Sequence, residues 1–189
     1  MQSIRTANQG EAERLMGTGI IICGLNGTGK STLGKALAEK INFHFADIED
    51  LYFPKTDSQY IYSSPRSHEE VKTILLSEIK AHPNFVLSSV KGDYGDTIHS
   101  FFQYAILITA PANSRIQRVK NRSFQTFGSR MLPGGDLYEQ EATFFDFVKS
   151  RTENTVEDWV NSLSCPIVRI DGTKPVEENI EYIIEHILH

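Results

Sequence analysis

The stretch Gly24-Leu25-Asn26-Gly27-Thr28-Gly29-Lys30-Ser31-Thr32, GLNGTGKST, follows directly on the apolar run GIIIC. Glycine weakens any regular element, so glycines at the end of a buried strand serve something other than packing. From Gly24 to Ser31 the run matches G-x-x-x-x-G-K-[ST] in a strand–loop–helix setting. The following KSTLGKALAEKI carries Leu33, Leu37 and Ile41 at helical spacing. Small residues let consecutive backbone N–H groups turn toward an oxyanion, and the helix adds its positive N-terminal end. Gly24, Asn26, Gly27, Thr28 and Gly29 therefore read as a cradle for the phosphates of a nucleoside triphosphate. Lys30 is placed to reach the β and γ phosphates, Ser31 to ligate Mg2+ and Thr32 to add a secondary phosphate contact. ATP and Mg2+ are the expected cofactors.

The chain has 189 residues, enough for one domain with a substantial core. Hydrophobic content of 40% and charged content of 23% are those of an ordinary globular protein. A net charge of −5 argues against a nucleic-acid partner and against the basic channel a polynucleotide kinase needs. Cys23 and Cys165 stand in no metal or redox spacing, which points to a reducing, cytoplasmic setting, with Cys23 a small core residue. No apolar run reaches membrane-spanning length, and the start of the chain lacks a signal-peptide apolar region. Residues 1–17 read as a polar leader, in which Met16 offers an alternative start. A monomer or dimer is expected.

Strand and helix patterns alternate along the rest. FVLSSV (85–90), YAILITA (104–110) and PIVRI (166–170) read as strands, and FHFADIED (43–50) starts as one. SHEEVKTILLSEIKAH (67–82) opens with a Ser67/Glu70 capping box and repeats Val71, Leu75 and Ile79 at helical spacing. A basic helix is expected at about 112–122, and further helices near 137–150 and 153–162. Strands joined by helices, with no hairpin signals, give an α/β fold: a five-stranded parallel sheet with helices on both faces. Two connections are long for such a fold, 51–66 and 123–136, as lids and binding loops often are. Phe144, Phe145 and Phe147 read as core packing rather than a stacking platform.

Further residues carry chemistry. In RVKNR, Arg118 and Arg122 lie four apart and share one helix face. SFQTFGSRMLPGGDLY holds Gly128, Gly134 and Gly135 as hinges, with Arg130 midway. DIED follows the second strand, LSSVKGDYGD the third and DGTKP the last. With these residues the element order over about residues 18–188 resembles the P-loop small-molecule and nucleoside monophosphate kinases, the group of adenylate, shikimate and gluconate kinases.

The resemblance implies one kinase domain, 18–189, with a lid at about 123–136. It implies that Arg118 packs on the adenine while Arg122, Arg130 and Arg151 reach toward the phosphates or the acceptor. Asp47 would serve as catalytic acid–base group or Mg2+ ligand. Glu49, Ser89, Lys91 and Asp93 would face the acceptor, and Thr173 would lie in the loop that touches adenine. The D-and-R acceptor motif of adenylate kinases is missing after the third strand, and no acid ends that strand, so the metal role falls to Asp47. A polyol, sugar acid or related small metabolite is the favoured acceptor. A nucleoside monophosphate kinase, or an ATPase or nucleotide switch without an acceptor, are the alternatives.

Overall fold

A computed structural model describes residues 17–187. Of the expected leader, only Gly17 falls among the described residues; Met16 and the residues before it lie outside them. The strands β1 (Gly19–Cys23), β2 (His44–Asp47), β3 (Phe85–Ser89), β4 (Phe102–Thr109) and β5 (Ile167–Asp171) form one sheet. Its order is β2-β3-β1-β4-β5, and every neighbouring pair is parallel.

The helices between them are α1 (Lys30–Ile41), α2 (Ile48–Tyr52), α3 (His68–Ala81), α4 (Asp96–His99), α5 (Ala112–Phe127), α6 (Tyr138–Ser150), α7 (Asn154–Asn161) and α8 (Val176–Ile187). A short 3-10 helix, Gly128–Met131, follows α5. The expected fold class holds.

β1 is central and apolar throughout because both its faces are covered. Successive side chains alternate between the faces. Ile20 and Ile22 pack with Leu33 and Leu37 of α1 and Ile180 and Ile183 of α8. Ile21 and Cys23 pack on the other side with Val71 and Leu75 of α3 and Trp159 and Val160 of α7. Each such isoleucine, leucine or valine taken fully out of water stabilises the fold by roughly 1.5–3 kcal/mol. The Ser67/Glu70 capping box forms as expected and fixes the start of α3.

Two boundaries differ from the sequence reading. β4 begins at Phe102, not 104, because Phe102 pairs with Gly19 ahead of a register shift. α5 runs on to Phe127, past the expected end at 122, because nothing breaks the backbone before Gly128 at φ 59. The first five residues of the expected lid, 123–127, therefore belong to α5, and the 3-10 helix follows them. Among the described residues no helix is long and apolar enough to cross a membrane.

Candidate active site

All five strands point the same way, so their C-terminal ends share one edge of the sheet, where open α/β sheets bind ligands. The glycine loop rises there from β1. Gly27 has φ 80, and a Cβ on it would stand 2.3 Å from the Arg115 carbonyl oxygen, so both conformation and contact require glycine. Gly29, at φ 103, turns the chain into α1. No side chain caps α1 and no acid lies in its first turn. α2 and α3, by contrast, are capped by Asp47 and Ser67. The first N–H groups of α1 are thus left for an anion.

Lys30 folds back and donates to the Leu25 carbonyl at 2.9 Å. Burial pushes its ammonium down to about 8 from the ordinary 10.5; Asp47 and Glu49 oppose the shift and Arg122 adds to it. A phosphate beside it would add to the effect of Asp47 and Glu49 and favour the charged form.

Helix α5 grips the loop from one side. Arg115, only 4% exposed, donates through Nε to the Ala110 carbonyl at 3.1 Å and through Nη1 to the Asn26 carbonyl at 3.4 Å. Arg118 Nη1 donates to the Gly172 carbonyl at 3.0 Å, and the Gly27 and Thr28 carbonyls lie at 3.4 Å. From the other side Arg151, at the end of α6, donates to Asn26 Oδ1 at 2.7 Å. Its guanidinium lies over the Phe147 ring, 4.7 Å from the centroid. Arg115 was not singled out from the sequence; its place on the basic helix, three before Arg118, is the only local signal.

The acids stand apart in role. Asp47 pairs in register with Ser88 at the end of β3, and its Oδ1 accepts from the Glu49 N–H at 3.0 Å. Ser31 Oγ and Ser88 Oγ lie 3.3 Å apart. Ser31, Ser88 and Asp47 line one cavity, a hard-oxygen donor set suited to Mg2+. Glu49 accepts from the Tyr62 hydroxyl at 3.2 Å and faces Arg122 Nη2 at 3.6 Å.

Two cavities adjoin. The first, about 310 Å³, is the phosphate cavity, lined by Asn26, Gly27, Gly29, Lys30, Ser31 and Thr32, with Arg118, Arg122 and the acids opposite. The second, about 680 Å³, holds Ser89, Lys91, Asp93 and Arg151 on its wall. Asn26, Glu49, Ser89 and Arg122 belong to both walls.

Some expected residues stand elsewhere. Gly24 and Thr28 lie behind the loop, where Gly24 N–H donates to the Val90 carbonyl and the Thr28 hydroxyl to the Leu25 carbonyl. They shape the loop and do not face the phosphate cavity. The Thr173 hydroxyl donates to Asp171 beside its own turn. Arg130 is drawn away from both cavities by Asp136, its Nη2 donating to Oδ2 at 2.6 Å, and by the Gln59 carbonyl at 2.7 Å. Of the three phenylalanines read as core, only Phe145 is buried among Val119 and Val148. Phe144 packs partly against that cluster and also lines the larger cavity, as does the exposed Phe147. The tyrosines of that wall, Tyr52, Tyr60 and Tyr62, were missed; the length of the 51–66 connection was their one signal.

Comparison with known proteins agrees with this geometry. The family described as AAA domain matches residues 20–126. The Bacillus subtilis (strain 168) "Uncharacterized protein YqaC" is 27% identical over 176 residues, which are 89% of this chain and 96% of that one. The shikimate kinase of Chlamydia pneumoniae is 40% identical over 62 residues, 33% of this chain and 35% of that one. The solved shikimate kinase of Bacteroides thetaiotaomicron superposes with a TM-score of 0.56 at 15% identity, covering 91% of this chain and 99% of that one. The resemblance to P-loop small-molecule kinases stands, and the superposition shows their fold.

Proposed function

The chain belongs to the AAA-domain family, and on that premise we propose that it is an ATP-dependent kinase moving the γ-phosphoryl group to a small-molecule hydroxyl. The observation that carries this reading is the shared wall: a phosphate cavity and a larger cavity meet at Asn26, Glu49, Ser89 and Arg122. A nucleotide switch needs only the first of these cavities.

The N–H groups at the start of α1 and Lys30 hold the β and γ phosphates. Ser31, with Asp47 and Ser88 beside it, would hold Mg2+, which when bound neutralises charge on the phosphate oxygens. Arg118 braces the loop through the Gly27, Thr28 and Gly172 carbonyls. Arg122, at the junction, stabilises charge on the transferring group. The acceptor oxygen bonds to Pγ, the bond from Pγ to the β–γ bridging oxygen breaks, and ADP leaves. Glu49 takes the hydroxyl proton, being the acid on both walls, while of these two cavities Asp47 lines only the phosphate one.

We keep the lid role for residues 123–136. To reach the phosphates from there, Arg130 must exchange Asp136 for them. The cytoplasm remains the expected setting, consistent with the two free thiols.

Thermal shift with a non-hydrolysable ATP analogue and Mg2+ tests the nucleotide site. The wild type gains several degrees in melting midpoint, whereas Lys30→Ala, shown to be folded by circular dichroism, gains little. An equal shift in a folded Lys30→Ala would remove the phosphate-loop assignment.

A further inference from the structure

Resting on the kinase reading for the position of the reacting hydroxyl, we propose that the acceptor is a neutral molecule built on a flat aromatic ring, a nucleoside carrying a free hydroxyl. A polyol or sugar acid, favoured from the sequence, does not suit what lines the larger cavity.

Eight of its seventeen described lining residues carry rings. Tyr52, Phe53, Tyr60 and Tyr62 come from α2 and the connection after it, and Phe144 and Phe147 from α6. Tyr94 and His68 complete it, stacked on one another at 4.8 Å between centroids and 13° between planes. Phe53 meets Tyr62 edge-on at 5.1 Å and 82°, and Tyr60 meets Tyr62 at 5.7 Å and 77°. In an edge-on pair the inserted ring keeps both of its own faces, so the wall retains aromatic surface for a planar guest.

The hydroxyls of Tyr60 and Tyr62 are already engaged. The Tyr60 hydroxyl donates to Glu141 Oε1 at 3.1 Å, and the Tyr62 hydroxyl to Glu49 Oε1 at 3.2 Å. Over the ring-lined part of the wall a polyol would exchange its water for faces that return no hydrogen bonds, a loss the flat base of a nucleoside avoids while its sugar hydroxyls meet the polar residues near Glu49.

Charge on the same wall argues that the guest is neutral. Lys91 faces Asp93 at 3.9 Å and Arg122 faces Glu49 at 3.6 Å. Among the described lining residues only Arg151 lacks a carboxylate partner, and Asn26 and Phe147 pin its guanidinium. Each of the two carboxylates faces a cation, so of the three cations on the wall only one, Arg151, is left unmatched, too little to balance the two charges of a phosphate dianion. A guest hydroxyl, in contrast, needs only to reach Glu49, where its oxygen bonds to Pγ of ATP, its proton passes to the carboxylate and ADP departs.

Three sets of probes decide this: adenosine, cytidine and thymidine; AMP, CMP and dTMP; ribitol and gluconate. Each is tested on the full chain for binding without ATP, by saturation-transfer NMR, and for ADP release with ATP and Mg2+. The expected result is saturation of the ring protons of at least one nucleoside, and ADP release with nucleosides alone. Phe53→Leu and Phe147→Leu keep apolar bulk but lose a ring. Each, confirmed folded by circular dichroism, should weaken that nucleoside on the order of tenfold, as expected for one lost stacking face.

Release of ADP with ribitol or gluconate and no nucleoside binding overturns the proposal. So does a tenfold preference for the monophosphates, or unchanged nucleoside affinity in both folded variants. Nucleoside binding with no ADP release under any condition supports the ring site and overturns the kinase reading instead.

Discussion

Lys30 sets how the phosphate cavity responds to pH. Buried in the folded chain, its ammonium loses its proton near 8, where an unfolded lysine holds it to 10.5. Between these values the unfolded chain binds more protons than the folded one, so this group makes the fold gain stability as pH rises through the window. Ligand affinity moves the opposite way. A phosphate beside Lys30 favours the charged form, so ATP affinity is level well below pH 8 and falls above it. Binding at pH 8.5 should therefore take up protons, read from calorimetric enthalpies in buffers of different ionisation heat. Enthalpies that do not depend on the buffer would sink this account. Lys30 and Ser31 were legible in the sequence because their chemistry is written in eight consecutive residues. Arg115 was not, because its target is the Asn26 carbonyl, 89 positions away, and no local spacing announces such a contact.

Helix α5 joins the two cavities. Its first turns carry Arg115 and Arg118 at the loop, its middle carries Arg122 at the junction, and its end carries Phe127. Phe127 packs on Tyr60 at 5.4 Å and on Tyr62 at 6.1 Å between ring centroids, fastening the connection after α2. Phe127→Ala should lower unfolding stability by about 3 kcal/mol, as for other buried phenylalanine truncations. In urea the midpoint should fall with the slope unchanged; no change in midpoint would show that the ring holds nothing in place. The sequence marks α5 only to 122, since Ser123 and the glycines beyond carry loop chemistry, whereas the backbone that ends the helix is that of Gly128. At DIED the sequence offered a helix cap or a phosphate-side acid. Asp47 does the first and is placed for the second, since the carboxyl edge of β2 is also where α2 begins.

Across the whole molecule, the sheet was legible because strands covered on both faces are apolar in every position and stand out from the amphipathic helices between them. The larger cavity was not, because it is assembled from the connection after α2, the end of β3 and a face of α6, which meet only in the folded chain. The phosphate loop shows the same dependence on distant parts. Arg115 and Arg118 hold its carbonyls from α5, and Arg151 holds the Asn26 side chain from the end of α6. A loop braced in this way before any ligand arrives has little left to order, which bears on how fast it is filled. Mixed rapidly with a fluorescent ATP analogue, the protein should show a first phase whose observed rate climbs in proportion to analogue concentration, with no plateau. Arg151→Ala frees the Asn26 side chain, and in that variant the same phase should level off, exposing a rearrangement that the native chain completes when it folds. A plateau already present in the wild type would mean that the loop is shaped by its ligand.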